Sequence, residues 1–145
     1  MKNIKHIVGL WNGKYTYDSE EFDGVSIRFS LSINFKEGEI TGECYESVDD
    51  GGIPVPAKIK GFIDGRKISL VKQYPYLIYI DETGKYRKDE TQPHPEIHYH
   101  GEVENGEANG TWEMNINSCG QGEDIVVEQI TGKWEMKKEQ MLYWA

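Results

Sequence analysis

From Val25 to Lys36 the chain alternates without a break: Val25, Ile27, Phe29, Leu31, Ile33 and Phe35 are apolar, and the residues between them are polar. A period of two over this stretch predicts a long β-strand with one dry face and one wet face, because successive strand side chains point to opposite sides. A helix would scatter the same apolar residues around its whole circumference. Turn signals follow at the spacing of a meander: Glu37-Gly38, Asp50-Gly51-Gly52, Asp64-Gly65, Thr83-Gly84, Asn105-Gly106 and Gly120-Gln121-Gly122. Between them lie strand-like runs at 10–18, 25–36, 39–49, 55–64, 66–74, 76–82, 96–104, 107–117 and 124–138. The reading is an all-β chain, a single antiparallel meander of about eight to ten strands.

An open meander of this length would expose unpaired edges and a large apolar face, so the pattern favours closure into an up-and-down barrel over two stacked sheets. Glycines support closure. In Gly110-Thr111-Trp112 and Gly132-Lys133-Trp134 a small and a large residue share one face, as a tapering interior requires. The segment Lys85 to Pro95, with two prolines and many charges, reads as the longest irregular connection and as a flap over one barrel end.

Strand parity nominates an inner wall. It comprises Trp11, Tyr15 and Tyr17 on the first strand, Phe29, Leu31 and Ile33 on the next, then Ile40, Cys44, Ile59, Ile63, Ile68, Leu70, Tyr74 and Ile78. The later strands add Ile97, Tyr99, Trp112, Met114, Trp134 and Met136. Such a wall, rich in rings with several phenols, suits either a filled lumen or one small bound molecule. The residues selected for ligand contact are Tyr15, Tyr17, Phe29, Glu46, Lys72, Tyr74, Tyr99, Trp112 and Trp134.

Two of these carry charge. Glu46 is in phase with Ile40 and Cys44, and Lys72 with Leu70 and Tyr74. A buried charge without a partner is costly, so either the two pair inside or both lie at an open rim; the rim is the more ordinary placement.

The first third of the chain resembles the calycin superfamily, the barrels of lipocalin and avidin type. Gly9-Leu10-Trp11, at the start of the first strand, is similar to the Gly-x-Trp signature whose Trp plugs the closed end in those families. Gly38-Glu39-Ile40-Thr41-Gly42 followed by Tyr45-Glu46-Ser47 looks like the hairpin exit and third strand of avidins, where Tyr and Ser contact biotin. Here Cys44 is an extra residue between Gly42 and Tyr45, which turns Tyr45 and Ser47 outward unless a bulge intervenes, and the later avidin segments are not recognisable. The resemblance therefore implies a barrel with a ligand-sized interior and does not carry biotin binding over.

Composition narrows the partners. The chain has 145 residues, suited to one domain spanning 1–145, and a formal net charge of -9 that repels a nucleic-acid backbone. Its lysines are interleaved with acids, as in Lys133 to Glu139. Neither a signal peptide nor a membrane-length apolar run is visible, so a cytoplasmic protein without a membrane partner is expected. Cys44 and Cys119 are too few for a disulfide scaffold and are expected as free thiols. The apolar tail residues Met141, Leu142, Tyr143 and Trp144 are expected to pack on a barrel end, and a homo-oligomer has nothing in the sequence to support it.

Candidate chemistry is sparse. On Glu96-Ile97-His98-Tyr99-His100-Gly101-Glu102 the parity puts His98 and His100 side by side, a chelate to which His94 or Glu104 could add a third ligand. The apolar opposite face makes the histidine face the outer one, which argues against a functional metal, and no cofactor is expected. Nucleophile elbows and phosphate-cradling loops are absent from the sequence. Three readings follow: a binder of a small apolar or aromatic molecule, a structural or protein-interaction module with a filled core, and an enzyme using the His98/His100 face or Glu46 with tyrosines. The sequence leans away from the last.

Overall fold

The computed structural model describes residues 5–119 and 125–139. Ten strands form among them: β1 Gly9–Tyr17, β2 Ser26–Lys36, β3 Glu39–Glu46, β4 Ala57–Asp64, β5 Lys67–Gln73, β6 Leu77–Ile80, β7 Tyr86–Asp89, β8 Ile97–Glu104, β9 Glu107–Cys119 and β10 Ile125–Lys138. No α-helix occurs among the described residues. Eight strands close a barrel in the order β1-β2-β3-β4-β5-β8-β9-β10, with β10 pairing back onto β1 and every neighbour antiparallel. This is the up-and-down closure that the alternating pattern favours, and it rules out the stacked-sheet alternative.

Parity operates as expected along β2. Ile27, Phe29, Leu31 and Ile33 are buried, while Ser26, Arg28 and Asn34 between and beyond them are exposed. Burial of each such apolar side chain contributes about 1.5–3 kcal/mol. The inner wall continues through Trp11, Tyr15, Ile40, Ile59, Leu70, Tyr99, Trp112, Trp134 and Met136. Tyr45 is half exposed, at 50 %, because β3 pairs with β2 in unbroken register from Glu39 to Glu46 and no bulge turns it inward.

Glycine and tryptophan share the interior across strands as well as along them. Trp112 sits opposite Gly132, and a Cβ at Gly132 would overlap both the Thr16 carbonyl oxygen and the Trp112 indole nitrogen. Gly101 likewise leaves room for the Trp134 ring. Each indole N–H among the described residues donates to a backbone carbonyl: Trp112 to Thr16 at 2.9 Å, Trp134 to Thr111 at 3.0 Å and Trp11 to Ile7 at 2.9 Å. Large rings thus enter the core without an unpaired donor.

One end of the barrel is closed by fully buried Trp11 and Ile7. At the other, β1, β3 and β5 finish and β2, β4 and β8 begin, and the extra hairpin lies there. Lys85 to Pro95 is not irregular throughout, as its charges suggest: Tyr86–Asp89 pairs with Leu77–Ile80 to make a two-stranded sheet between β5 and β8. Arg87 and Lys88 of β7 are exposed, and the charges of the strand lend the pairing no apolar pattern. The tail residues Met141, Leu142, Tyr143 and Trp144, and the Gly120-Gln121-Gly122 turn, lie outside the described residues, and Cys119 is described in its backbone alone. Among the described residues no helix is long and apolar enough to cross a membrane.

Candidate functional site

A layer of polar side chains crosses the interior of the barrel between its two ends. The Lys72 ammonium donates to Glu46 Oε2 at 2.5 Å, Tyr15 donates to Glu46 Oε1 at 2.9 Å, and the Tyr74 hydroxyl donates to Oε2. The backbone N–H of Ile53 reaches Oε1 at 3.1 Å. Four donors therefore meet one carboxylate, whose capacity is about four hydrogen bonds. Lys72 is also 3.5 Å from the Tyr99 hydroxyl oxygen and lies 5.0, 5.3 and 5.7 Å from the ring centres of Tyr15, Tyr74 and Tyr99. Rings at that distance attract a cation through their quadrupoles.

The rim placement for Glu46 and Lys72 is overturned. Both are buried, and they meet although β4 separates their strands. The β3–β4 connection makes this geometry. Arg28 on the outer face of β2 grips Asp50 through Nε at 2.8 Å and Nη2 at 3.1 Å, and its backbone N–H adds a third bond at 2.9 Å. These hydrogen bonds hold the Asp50 carboxyl down to about 2. The clamped turn brings Gly52 over Glu46, at a spot where a Cβ would collide with the Glu46 stem, and so aims the next N–H at the carboxylate.

Burial pulls the Lys72 ammonium toward neutrality, while Cys44, Tyr99 and Glu46 act the other way, and the net direction is up. Cys44 and Tyr99 are themselves pushed up by burial, so at neutral pH the effective partner is the Glu46 carboxylate. Lys72 is a held cation rather than an amine nucleophile. Burial raises Tyr15 as well, with Glu46 adding to it, and raises Tyr17.

Above this layer is a cavity of about 390 Å³, toward the end that carries the hairpin. Lys72, Tyr15, Tyr74 and Tyr99 form its floor, Trp112, Met114, Ile97 and Ile130 its walls, and Leu77, Ile78, Tyr79, Ile80 and Tyr86 of the hairpin its cover. The cover is tied down where the Tyr86 hydroxyl donates to the Gly51 carbonyl. His94 also lines the cavity, edge-on to Tyr74 at 4.8 Å between ring centres. Burial lowers its pKa, against the carbonyls of Pro95 and Ile78 that favour the proton. Below the layer the lumen is filled, apart from a void of about 20 Å³ between Phe29, Leu31, Cys44, Trp134 and their neighbours.

The nine residues selected from the sequence are thus divided. Tyr15, Tyr17, Lys72, Tyr74, Tyr99 and Trp112 come together on the upper cavity, Phe29 and Trp134 line the small lower void, and Glu46 stands behind the floor as the anchor of its donors. Missed by sequence reasoning are His94, Ile53 and Tyr86. Prolines flank His94, and Ile53 acts through its backbone, so neither carries a periodic signal.

His98 and His100 lie on the outer face, with stacked rings 6.4 Å apart, and each has a carboxylate 3.8 Å away, Glu96 and Glu113 respectively. The third-ligand expectation fails for both nominees. His94 turns into the barrel, and Glu104 pairs with Arg66 at 3.4 Å. Among the described residues no group of three or more His, Cys, Asp or Glu could hold a metal ion.

Comparison with protein-family models, with curated proteins and with solved structures gives no match.

Proposed function

We propose that the protein binds one small apolar or aromatic molecule in the upper half of its barrel, in the manner of the calycin barrels that its first third resembles. The observation that carries the reading is the 390 Å³ cavity with a polar floor at Lys72 and Tyr99 and apolar walls. That volume falls at the small end of the range for ligand pockets, about 300–1,000 Å³, and mostly apolar walls with a few placed polar groups are the usual composition of such sites. Use of Glu46 as a catalytic base gains no support, since its lone pairs are engaged by Tyr15, Tyr74, Lys72 and Ile53.

The filled lower half favours a second reading, a module with a mainly structural core. Titration decides between them. A panel of small aromatic probes, followed by tryptophan fluorescence and thermal unfolding, should quench or shift Trp112, and saturation near a hundredfold over Kd should stabilise the fold by about 2.7 kcal/mol. If no probe alters either signal, the structural reading replaces the binding one.

A further inference from the structure

We infer that the upper cavity selects an uncharged aromatic ligand bearing a carbonyl, seated on the Tyr99 hydroxyl, and rejects the matching carboxylate. This rests on the binding reading above and adds the ligand class. The first argument is charge. Among the described residues lining the cavity Lys72 is the one Lys or Arg, and no Asp or Glu is found. Its charge is already balanced by Glu46 at 2.5 Å. A ligand carboxylate would bring a second negative charge into a mostly apolar site whose cation is taken, and a buried charge without its own partner is expensive. Displacing Glu46 instead would strand the donors of Tyr15, Tyr74 and Ile53.

The second argument is the supply of donors. Tyr15 and Tyr74 spend their hydroxyl protons on Glu46. Among the described residues Tyr99 has one hydrogen-bond partner, Lys72, which uses the oxygen as acceptor and leaves the phenolic proton uncommitted. A phenol beside an ammonium is polarised toward donation. The floor therefore offers a strengthened donor to a neutral acceptor, while Trp112, Tyr17 and Ile130 line the cavity with apolar surface against which a ring system can pack.

Three probes of similar size test this on the intact protein by calorimetry at neutral pH: acetylnaphthalene, ethylnaphthalene and naphthoate. The ketone should bind about fivefold to tenfold tighter than the hydrocarbon, the gain from one net hydrogen bond, and naphthoate should bind weakest. Tyr99→Phe should bring the ketone down to the level of the hydrocarbon. Independently of any variant, the infrared carbonyl stretch of bound acetylnaphthalene should lie below its frequency in a hydrocarbon solvent, where no donor reaches it. Naphthoate binding as tightly as the ketone, or an unshifted carbonyl stretch, would overturn the carbonyl assignment while hydrocarbon binding left the cavity reading standing. Failure of all three probes would remove both.

Discussion

The Lys72 ammonium lies 2.5 Å from the Glu46 carboxylate, and their side chains are 2 % and 0 % exposed. The pair joins β5 to β3 across the intervening β4, so it ties together strands that the sheet itself does not pair. Removing one partner leaves the other as a lone buried charge.

Glu46→Gln should therefore destabilise the fold by about 3–5 kcal/mol, as loss of one member of a buried pair does. The double variant Glu46→Gln with Lys72→Met should recover part of that loss, because it removes both charges together and keeps an amide oxygen for the Tyr15, Tyr74 and Ile53 donors. Guanidinium unfolding curves for the three proteins measure the difference. Equal stability of Glu46→Gln and the parent would show that the pair is not desolvated.

Alkaline pH offers a complementary handle. Lys72, Tyr15 and Tyr99 all bind their protons more tightly folded than free, Lys72 through its anionic surroundings against the pull of burial, the phenols chiefly through burial. A raised folded pKa contributes stability that is complete below the unfolded value, about 10 for Tyr and about 10.4 for Lys, and is lost above it. Stability should hold up to about pH 10 and then fall steeply. The phenolate absorbance that Tyr15→Phe or Tyr99→Phe removes should appear together with unfolding and not before it.

On the acid side, His94 behaves oppositely. Burial lowers its pKa, so its neutral form adds stability above the unfolded value of about 6.5 that drains away as pH falls below it. A decline in melting temperature between about pH 6.5 and pH 5 is expected, and His94→Gln should flatten it.

Much of this was legible in the sequence because a period of two is a direct readout of which face is dry. Parity placed Tyr15, Tyr74, Tyr99 and Trp112 inside and aimed both charges inward while leaving the rim as their more ordinary place, and the extra residue at Cys44 correctly turned Tyr45 outward. Parity does not measure distance between strands that are not neighbours, so the meeting of Glu46 with Lys72 had to come from barrel closure. It is blind, too, in segments without alternation. The 76–82 run reads as a strand, but Tyr86-Arg87-Lys88-Asp89 is nearly all charged, so its pairing partner reads as part of a connection.

Gly132→Ala tests the packing rule of the interior. Its Cβ would collide with the Thr16 carbonyl and the Trp112 indole, neither of which can retreat without losing the Trp112 to Thr16 hydrogen bond. Overpacking of this kind costs about 1–3 kcal/mol. Combining it with Trp112→Phe should relieve part of the cost, a non-additivity that a double-mutant cycle resolves. Strict additivity would mean that the two residues do not share the space.

The Tyr86 hydroxyl ties the cover of the cavity to the β3–β4 connection by donating to the Gly51 carbonyl. Gly51 belongs to the turn that Arg28 and Asp50 clamp, so the anchor point is itself fixed. Tyr86→Phe removes only the hydroxyl, whose net contribution is about 0.5–1.5 kcal/mol, and the loss should fall on local opening of the hairpin and not on the barrel. Amide exchange across 77–89 should accelerate about twofold to tenfold while exchange in β2 and β10 stays unchanged. Ligand association should quicken with it if the hairpin is the way in. Uniform acceleration across all strands would instead mark Tyr86 as part of the global fold and leave the entrance to be sought elsewhere.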